Sequence, residues 1–137
     1  MEKAEFEIID HTADWSIRVW GRDLAHLLFS AAYGMNSLLV NDLTTIPAGD
    51  KRTLELDSDD PESLLVEWLG ELAYWTETEG LVFCQFDLQE ASPTHLRAMV
   101  AGSRPEQLQK HVKAVTYHQL QILETERGLE ATIVFDV

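Results

Sequence analysis

The residues best suited to chemistry in this 137-residue chain are concentrated in residues 10–14, which read Asp-His-Thr-Ala-Asp. Two carboxylates, an imidazole and a hydroxyl within five residues could bind a divalent cation or transfer protons. The flanking residues 6–9 and 15–20 alternate between apolar and polar types, which is typical of strands. The stretch is therefore predicted to be a polar connection between two strands. A tight turn explains the same residues equally well, because Asp and Thr side chains readily bond their own backbone.

A second group of candidate ligands lies at the end of the sequence, where Asp136 and Val137 follow an alternating strand pattern. If the first and last strands are neighbours, Asp14, Asp136 and the α-carboxylate of Val137 could converge on one cation. Such oxygen donors favour Ca²⁺, Mg²⁺ or Mn²⁺. Zinc is disfavoured, because the five histidines and one cysteine lack the spacing of a zinc site. An exposed residue on a fraying strand is the alternative for Asp136.

A third candidate is the segment 112–118, Val-Lys-Ala-Val-Thr-Tyr-His, which contains a cation, a hydroxyl, a phenol and an imidazole. Tyr117 and His118 could be catalytic, or they could be a core tyrosine and a histidine on a polar face. The sequence shows no glycine-rich phosphate loop and no nucleophile elbow. Cys84 lies in an apolar run and is predicted to be a buried small hydrophobe rather than a nucleophile. Independent catalysis is therefore not expected.

The charge balance argues against direct binding to nucleic acid. Ten Lys and Arg residues oppose 24 Asp and Glu residues, for a formal net charge of −14. Such a surface repels phosphate backbones but can attract a basic protein or divalent cations. A single cysteine fits a reducing compartment, and the sequence contains neither a secretory h-region nor an apolar stretch long enough to span a membrane. We therefore expect a cytoplasmic protein.

Two long helices are predicted to position these residues. The first is capped by Asp23 and carries an apolar stripe that ends near Leu39. The second begins at Asp60 and Pro61 and continues to about residue 79, where Gly80 ends it. Its tryptophans and leucines recur at helical spacing and are predicted to be core residues.

The rest of the sequence is predicted to form strands and turns. Strands are expected at residues 51–57, 82–91, 94–102, 112–118 and 129–136, with a loop at residues 44–50, a short helical turn at 106–111 and a hairpin turn at 126–128. The fold class that follows is α+β, with two main helices packed on a largely antiparallel β-sheet. The absence of linkers and repeats predicts a single compact domain over residues 1–137.

Several of these stretches together resemble the archease family. The resemblance is carried by residues 10–14, by the helix around Trp68 with its Thr-Glu-Gly stop at residues 78–80, by residues 112–118 and by the terminal Val-Phe-Asp-Val of residues 134–137. These motifs occur in the family's order from end to end, and the first and third together are specific. Residues 102–111 depart from the pattern of many archeases.

The resemblance implies a function and a set of site residues. Archeases are small acidic proteins that assist the RNA-splicing ligase RtcB, which uses GTP and Mn²⁺. The resemblance implies that this protein promotes guanylylation and multiple turnover of the ligase in tRNA splicing or RNA repair. It would contact RNA only indirectly, through the ligase. The resemblance also implies metal ligands at Asp14, Asp136 and Val137, with Ca²⁺ expected first and Mn²⁺ or Mg²⁺ as alternatives. Lys113 would activate the ligase.

Asp10, His11 and His118 match the motifs and are expected to support this site. Two other functions remain open from the residues alone. One is a small metal-dependent phosphoester hydrolase that uses Asp10, His11 and Asp14 around a bound cation. The other is a chaperone-like interaction protein without a ligase partner.

Overall fold

The computed structural model describes residues 2–10 and 14–137, and for Asp10 the backbone alone. In this part of the chain two α-helices accompany eight strands, all paired antiparallel. The predicted α+β class is confirmed. The helices are α1 (Leu24–Leu39) and α2 (Pro61–Glu79), and the strands are β1 (Glu5–Asp10), β2 (Trp15–Gly21), β3 (Asp50–Asp57), β4 (Val82–Ala91), β5 (His95–Ser103), β6 (Ala114–Val115), β7 (Leu123–Thr125) and β8 (Gly128–Asp136).

The strands form two sheets rather than one. Sheet A has the order β1-β2-β8-β6, and β7 also pairs with β8. Sheet B has the order β3-β5-β4. Helix α1 packs against β2 of the first sheet and β4 of the second, so it joins the two sheets through a shared core.

Local sequence signals set the ends of both helices. The Asp23 carboxylate accepts the N–H of His26 at 2.8 Å, and the Asp60 carboxylate accepts the N–H of Ser63 at 2.7 Å. Each bond satisfies a donor that the first helical turn leaves unpaired. Gly80 has φ +72°, the left-handed conformation that favours glycine, and it ends α2 as predicted.

Two buried polar contacts hold α1 in place. The indole N–H of Trp68 on α2 donates to the carbonyl of Leu28 at 2.9 Å, which confirms Trp68 as a core residue. The Oδ1 of Asn36, itself fully buried, accepts the N–H of Phe83 at the start of β4 at 2.9 Å. Leaving either group unbonded in the core would be costly, so both bonds fix the helix against its neighbours.

The predictions fail mainly between β5 and β7. The helical turn predicted at residues 106–111 is absent. Elsewhere, a short 3₁₀ helix at Leu43–Thr45 overlaps the start of the predicted loop 44–50. The predicted strand 112–118 is reduced to β6, whose short ladder with β8 is flanked by bonds from the N–H groups of Lys113 and Thr116 to carbonyls of β8. Before this strand, the N–H of Gln109 donates to the carbonyl of Leu39 at the end of α1. Contacts between residues so distant in sequence leave no local periodicity.

Two residues differ in burial from their predictions. Tyr117 is not a core tyrosine, because 57% of its surface is exposed. Cys84 is half-buried rather than buried, and its thiol donates to the carbonyl of Ile46 at 3.1 Å. Burial raises the pKa of this thiol, which agrees with the prediction that it is not a nucleophile.

No helix in the described residues is both long enough and apolar enough to cross a membrane.

Candidate metal and partner-binding site

The pairing of β2 with β8 brings the two predicted halves of the site together. Trp15 lies opposite Phe135 in this antiparallel ladder. Asp14 directly precedes Trp15, and Asp136 directly follows Phe135, so the same register places Asp14 opposite Asp136. Directly opposed residues on one face have Cβ atoms about 5 Å apart. The expectation that the first and last strands are neighbours is wrong, because β8 pairs with β2 and β1 lies on the far side of β2. The β2–β8 pairing nevertheless brings the two halves of the predicted site to the same end of the sheet.

The two carboxylates lie on the face of sheet A that points away from the core. Ile17, Ile133 and Phe135 are fully buried on the inner face. Side chains alternate along a strand, so Asp136 points to the opposite face, and both Asp14 and Asp136 are exposed. The carboxylates are thus accessible to a cation or to a partner surface.

Lys113 reaches the same end of the sheet through its backbone. Its N–H donates to the carbonyl of Asp136 at 2.7 Å, directly before Ala114 pairs with Asp136 in β6. The side chain of Lys113 is exposed, and no described carboxylate lies within ion-pair distance of it. The structure therefore places Lys113 at the site while its ammonium forms no ion pair with a carboxylate of the described residues.

Sequence reasoning missed one feature beside this site. The ammonium of Lys110 lies 4.0 Å from the ring centroid of Trp15, a favourable cation–π distance. The contact joins residues far apart in the sequence, so no local pattern could reveal it. It fixes the segment that precedes Lys113 against the strand that follows Asp14.

The predicted supporting residues are only partly described. His11 lies outside the described residues, and Asp10 contributes its backbone to β1 opposite Trp15. His118 is exposed, and its N–H donates to the hydroxyl of Thr116 at 3.3 Å. No described contact joins its imidazole to Asp14 or Asp136.

The chemistry of the donors fits a hard divalent cation. Asp14 and Asp136 lie at opposed backbone positions and both carry carboxylates, whose oxygens are the ligands that Ca²⁺, Mg²⁺ and Mn²⁺ prefer. Among residues 2–10 and 14–137, no three side chains drawn from His, Cys, Asp and Glu converge closely enough to form a metal site by themselves. The further ligand expected from the sequence is an oxygen of Val137, from its terminal carboxylate or its backbone.

Comparison with known proteins gives the family. The sequence model of the archease protein family matches residues 6–137. This chain belongs to the archease family. Curated archeases from Methanosarcina mazei and Saccharolobus solfataricus are 32% and 34% identical to it, with 97% of this chain covered in each case and 96% and 99% of the relatives.

Solved structures agree with this assignment. The solution structure of protein 1598 from Methanobacterium thermoautotrophicum matches with a TM-score of 0.79 and 30% identity, covering 98% of this chain and all of that one. A crystal structure from Thermotoga maritima, described as an archease and possible chaperone, matches with a TM-score of 0.64 over 100% of this chain and 98% of that one. At 18% identity the second match supports the archease fold alone.

Proposed function

We propose that this protein activates an RtcB-type RNA ligase by promoting its guanylylation and multiple turnover. The observation that carries the proposal is the meeting of Asp14, Asp136 and Lys113 at one exposed end of sheet A. Family membership supports it, because Asp14, Lys113 and Asp136 each belong to a stretch through which the chain resembles archeases. The protein is then an accessory factor, and the ligase carries out the chemistry with GTP and Mn²⁺.

The charge of the molecule suits a protein partner better than RNA. With a formal net charge of −14, it would be repelled by an RNA backbone but attracted to the basic groove in which a ligase holds RNA. Contact with RNA is then indirect. A chaperone-like activity, in the sense used for the Thermotoga protein, is the coarser form of the same function.

A divalent cation at Asp14 and Asp136 would complete this surface. Ca²⁺ is the first expectation and Mn²⁺ or Mg²⁺ the alternatives, with Val137 as the third ligand. When bound, the cation would offset the repulsion between the two carboxylates and present positive charge to a phosphate or carboxylate of the partner. Appending a Gly-Ser tail after Val137 should weaken Ca²⁺ binding nearly as much as Asp14→Ala, as measured by calorimetric titration. Unchanged affinity would remove Val137 from the ligand set.

Lys113 is assigned to the ligase rather than to the metal. Its backbone is fixed to Asp136, whereas its ammonium extends into solvent without a described carboxylate partner. An unpaired ammonium of this kind can bind an acidic or phosphorylated group on the ligase.

The decisive experiment measures guanylylation of the RtcB-type ligase from the same organism with GTP and limiting ligase. We expect the wild-type protein to accelerate it and Lys113→Ala to reduce the acceleration by about tenfold, the loss typical of one charge-assisted contact. Lys51→Ala, a matched change of an exposed lysine on sheet B, should leave the acceleration unchanged.

Two outcomes would contradict the proposal. One is the absence of any acceleration by the wild-type protein, especially if it suppresses aggregation of unrelated proteins, which would indicate a general chaperone. The other is an equal loss of Ca²⁺ affinity and ligase activation in Lys113→Ala, which would contradict the separate role of Lys113.

A further inference from the structure

A cavity of about 740 Å³ lies on a different part of the molecule, where the N-terminal segment 2–4 and α1 meet sheet B. Its volume is within the range of small-molecule sites, about 300–1,000 Å³. The cavity runs beside β4, which within the described residues pairs with β5 alone and therefore forms an edge of sheet B. Asp14, Lys113 and Asp136 do not line it.

The wall of the cavity is mostly apolar and aromatic. Phe29 and Tyr33 come from α1, and Phe86 and Met99 come from sheet B. The ring centroids of Phe29 and Tyr33 are 6.2 Å apart, and those of Phe29 and Phe86 are also 6.2 Å apart. Such a cluster offers both faces and edges for packing against an apolar or aromatic ligand.

Two lysines give the cavity a positive rim. The chain has four lysines, and Lys3 and Lys51 both line this cavity. In the described part of the chain neither ammonium lies within 4.0 Å of a carboxylate. Two acids also line it, but Glu2 is paired with Arg22, which leaves Asp87 as the one carboxylate against two ammonium groups.

We propose that this cavity binds a small amphipathic anion, with an aromatic or branched aliphatic body and one carboxylate or sulfonate group. The body packs against the aromatic wall, and the anionic group lies between the two lysines. A protein of net charge −14 repels anions over most of its surface, so the two lysines at this rim provide a local attraction that the molecule as a whole lacks. The proposal is independent of the ligase function.

A matched pair of fluorescent probes tests both parts of the ligand. 1-Anilinonaphthalene-8-sulfonate carries the anionic group, and N-phenyl-1-naphthylamine has the same aromatic body without it. We expect the sulfonate to bind the folded protein in a 1:1 ratio and more tightly than the neutral probe. The Lys3→Gln/Lys51→Gln double variant should weaken sulfonate binding by about tenfold, with less than about a twofold effect on the neutral probe.

A second double variant, Lys110→Gln/Lys113→Gln, makes the same change in net charge away from the cavity. It should change sulfonate affinity less than about twofold, because neither lysine lines the cavity. Equal losses in the two double variants would overturn the proposal, since they would reflect net charge alone. Near-UV circular dichroism must remain native in every variant, because partly unfolded states also bind the sulfonate probe.

The reactivity of Cys84 reports independently on where the sulfonate probe binds. It is the single cysteine of the chain, and it lines the cavity in a half-buried position. Saturating sulfonate probe should slow alkylation of Cys84 by iodoacetamide at least about fivefold if the probe occupies the cavity on the folded protein. Unchanged alkylation in the presence of bound probe would place the ligand elsewhere and overturn the proposal.

Discussion

Two acidic clusters on the two sheets are arranged in opposite ways. On the exposed face of sheet B, His95 lies between three carboxylates: Asp57 is 2.7 Å from its Nδ1, and Glu55 and Glu90 are 3.1 and 3.3 Å from its Nε2. Arg97 adds a contact to Glu90 at 3.1 Å. This cluster contains its own cations.

The cluster at the end of sheet A has no such compensation among the described side chains. Asp14 and Asp136 lie opposite each other, and neither of the two nearby lysines forms a described ion pair with them. Lys110 packs over Trp15, and Lys113 contributes its backbone N–H while its ammonium extends into solvent. Carboxylates that are paired within the fold stabilise it, whereas opposed carboxylates without a partner are suited to bind a cation from outside. The comparison therefore contrasts a cluster whose charges are compensated within the fold with one whose carboxylates are left available to a cation from outside.

The largest expected effect comes from disturbing the strand that carries Asp136. Gly128 begins β8 with φ +105°, and a Cβ at this position would lie 2.4 Å from the carbonyl oxygen of Gly21. Gly128→Ala should lower the free energy of unfolding by about 2–4 kcal/mol, through backbone strain and this clash, as measured by urea denaturation.

Gly70→Ala is the matched control, because an added Cβ there meets nothing within 4 Å in the middle of α2. It should leave stability unchanged or raise it by up to about 1 kcal/mol. If the two glycine variants have the same stability, the left-handed conformation of Gly128 and its close approach to Gly21 do not limit the folding of β8.

An intermediate effect is expected from removing one carboxylate in each cluster. Asp136→Asn should weaken Ca²⁺ binding by at least about tenfold, because it removes a charged oxygen ligand. Glu55→Gln makes the same chemical change in the compensated cluster of sheet B and should leave the affinity within about twofold. Calorimetric titration of both variants measures the difference. Comparable losses would mean that Ca²⁺ binds by general attraction to an acidic surface.

The smallest effect is the pH dependence of the sheet B cluster. The hydrogen bond to Asp57, followed by attraction to Asp57, Glu55 and Glu90, raises the pKa of His95 above its ordinary value of 6.5. A raised folded-state pKa gives stability that is fully present below pH 6.5 and is lost as the pH rises through the folded-state value.

Denaturation curves collected from pH 6 to 9 test this dependence. In His95→Gln the part of the stability change due to this imidazole should disappear, and in Asp57→Asn it should shrink, because the largest cause of the shift is removed. An unaltered pH profile in both variants would show that the carboxylates do not stabilise the imidazolium. The sheet B cluster could then no longer be described as compensated by His95.

The secondary structure could be predicted wherever the determining contacts are local. Asp23, Asp60 and Gly80 set helix ends through bonds to residues at most four positions away. The alternation around β2 and β8 likewise follows from one buried and one exposed face. The 106–118 segment could not be predicted in this way, because its shape depends on bonds to Leu39 and on a short pairing with β8, both distant in sequence.

The residue types of the site, the helix boundaries, the acidic surface and the family all follow from local chemistry and from the order of motifs, so they can be read from the amino-acid sequence. The pairing of β2 with β8, in a register that sets Asp14 opposite Asp136, and the backbone bond of Lys113 to Asp136 are visible only in the folded chain. The division of the strands into two sheets and the cavity beside β4 were decided there as well. The physical reason is that strand pairing and cavities arise from contacts between residues distant in sequence, which local patterning does not specify.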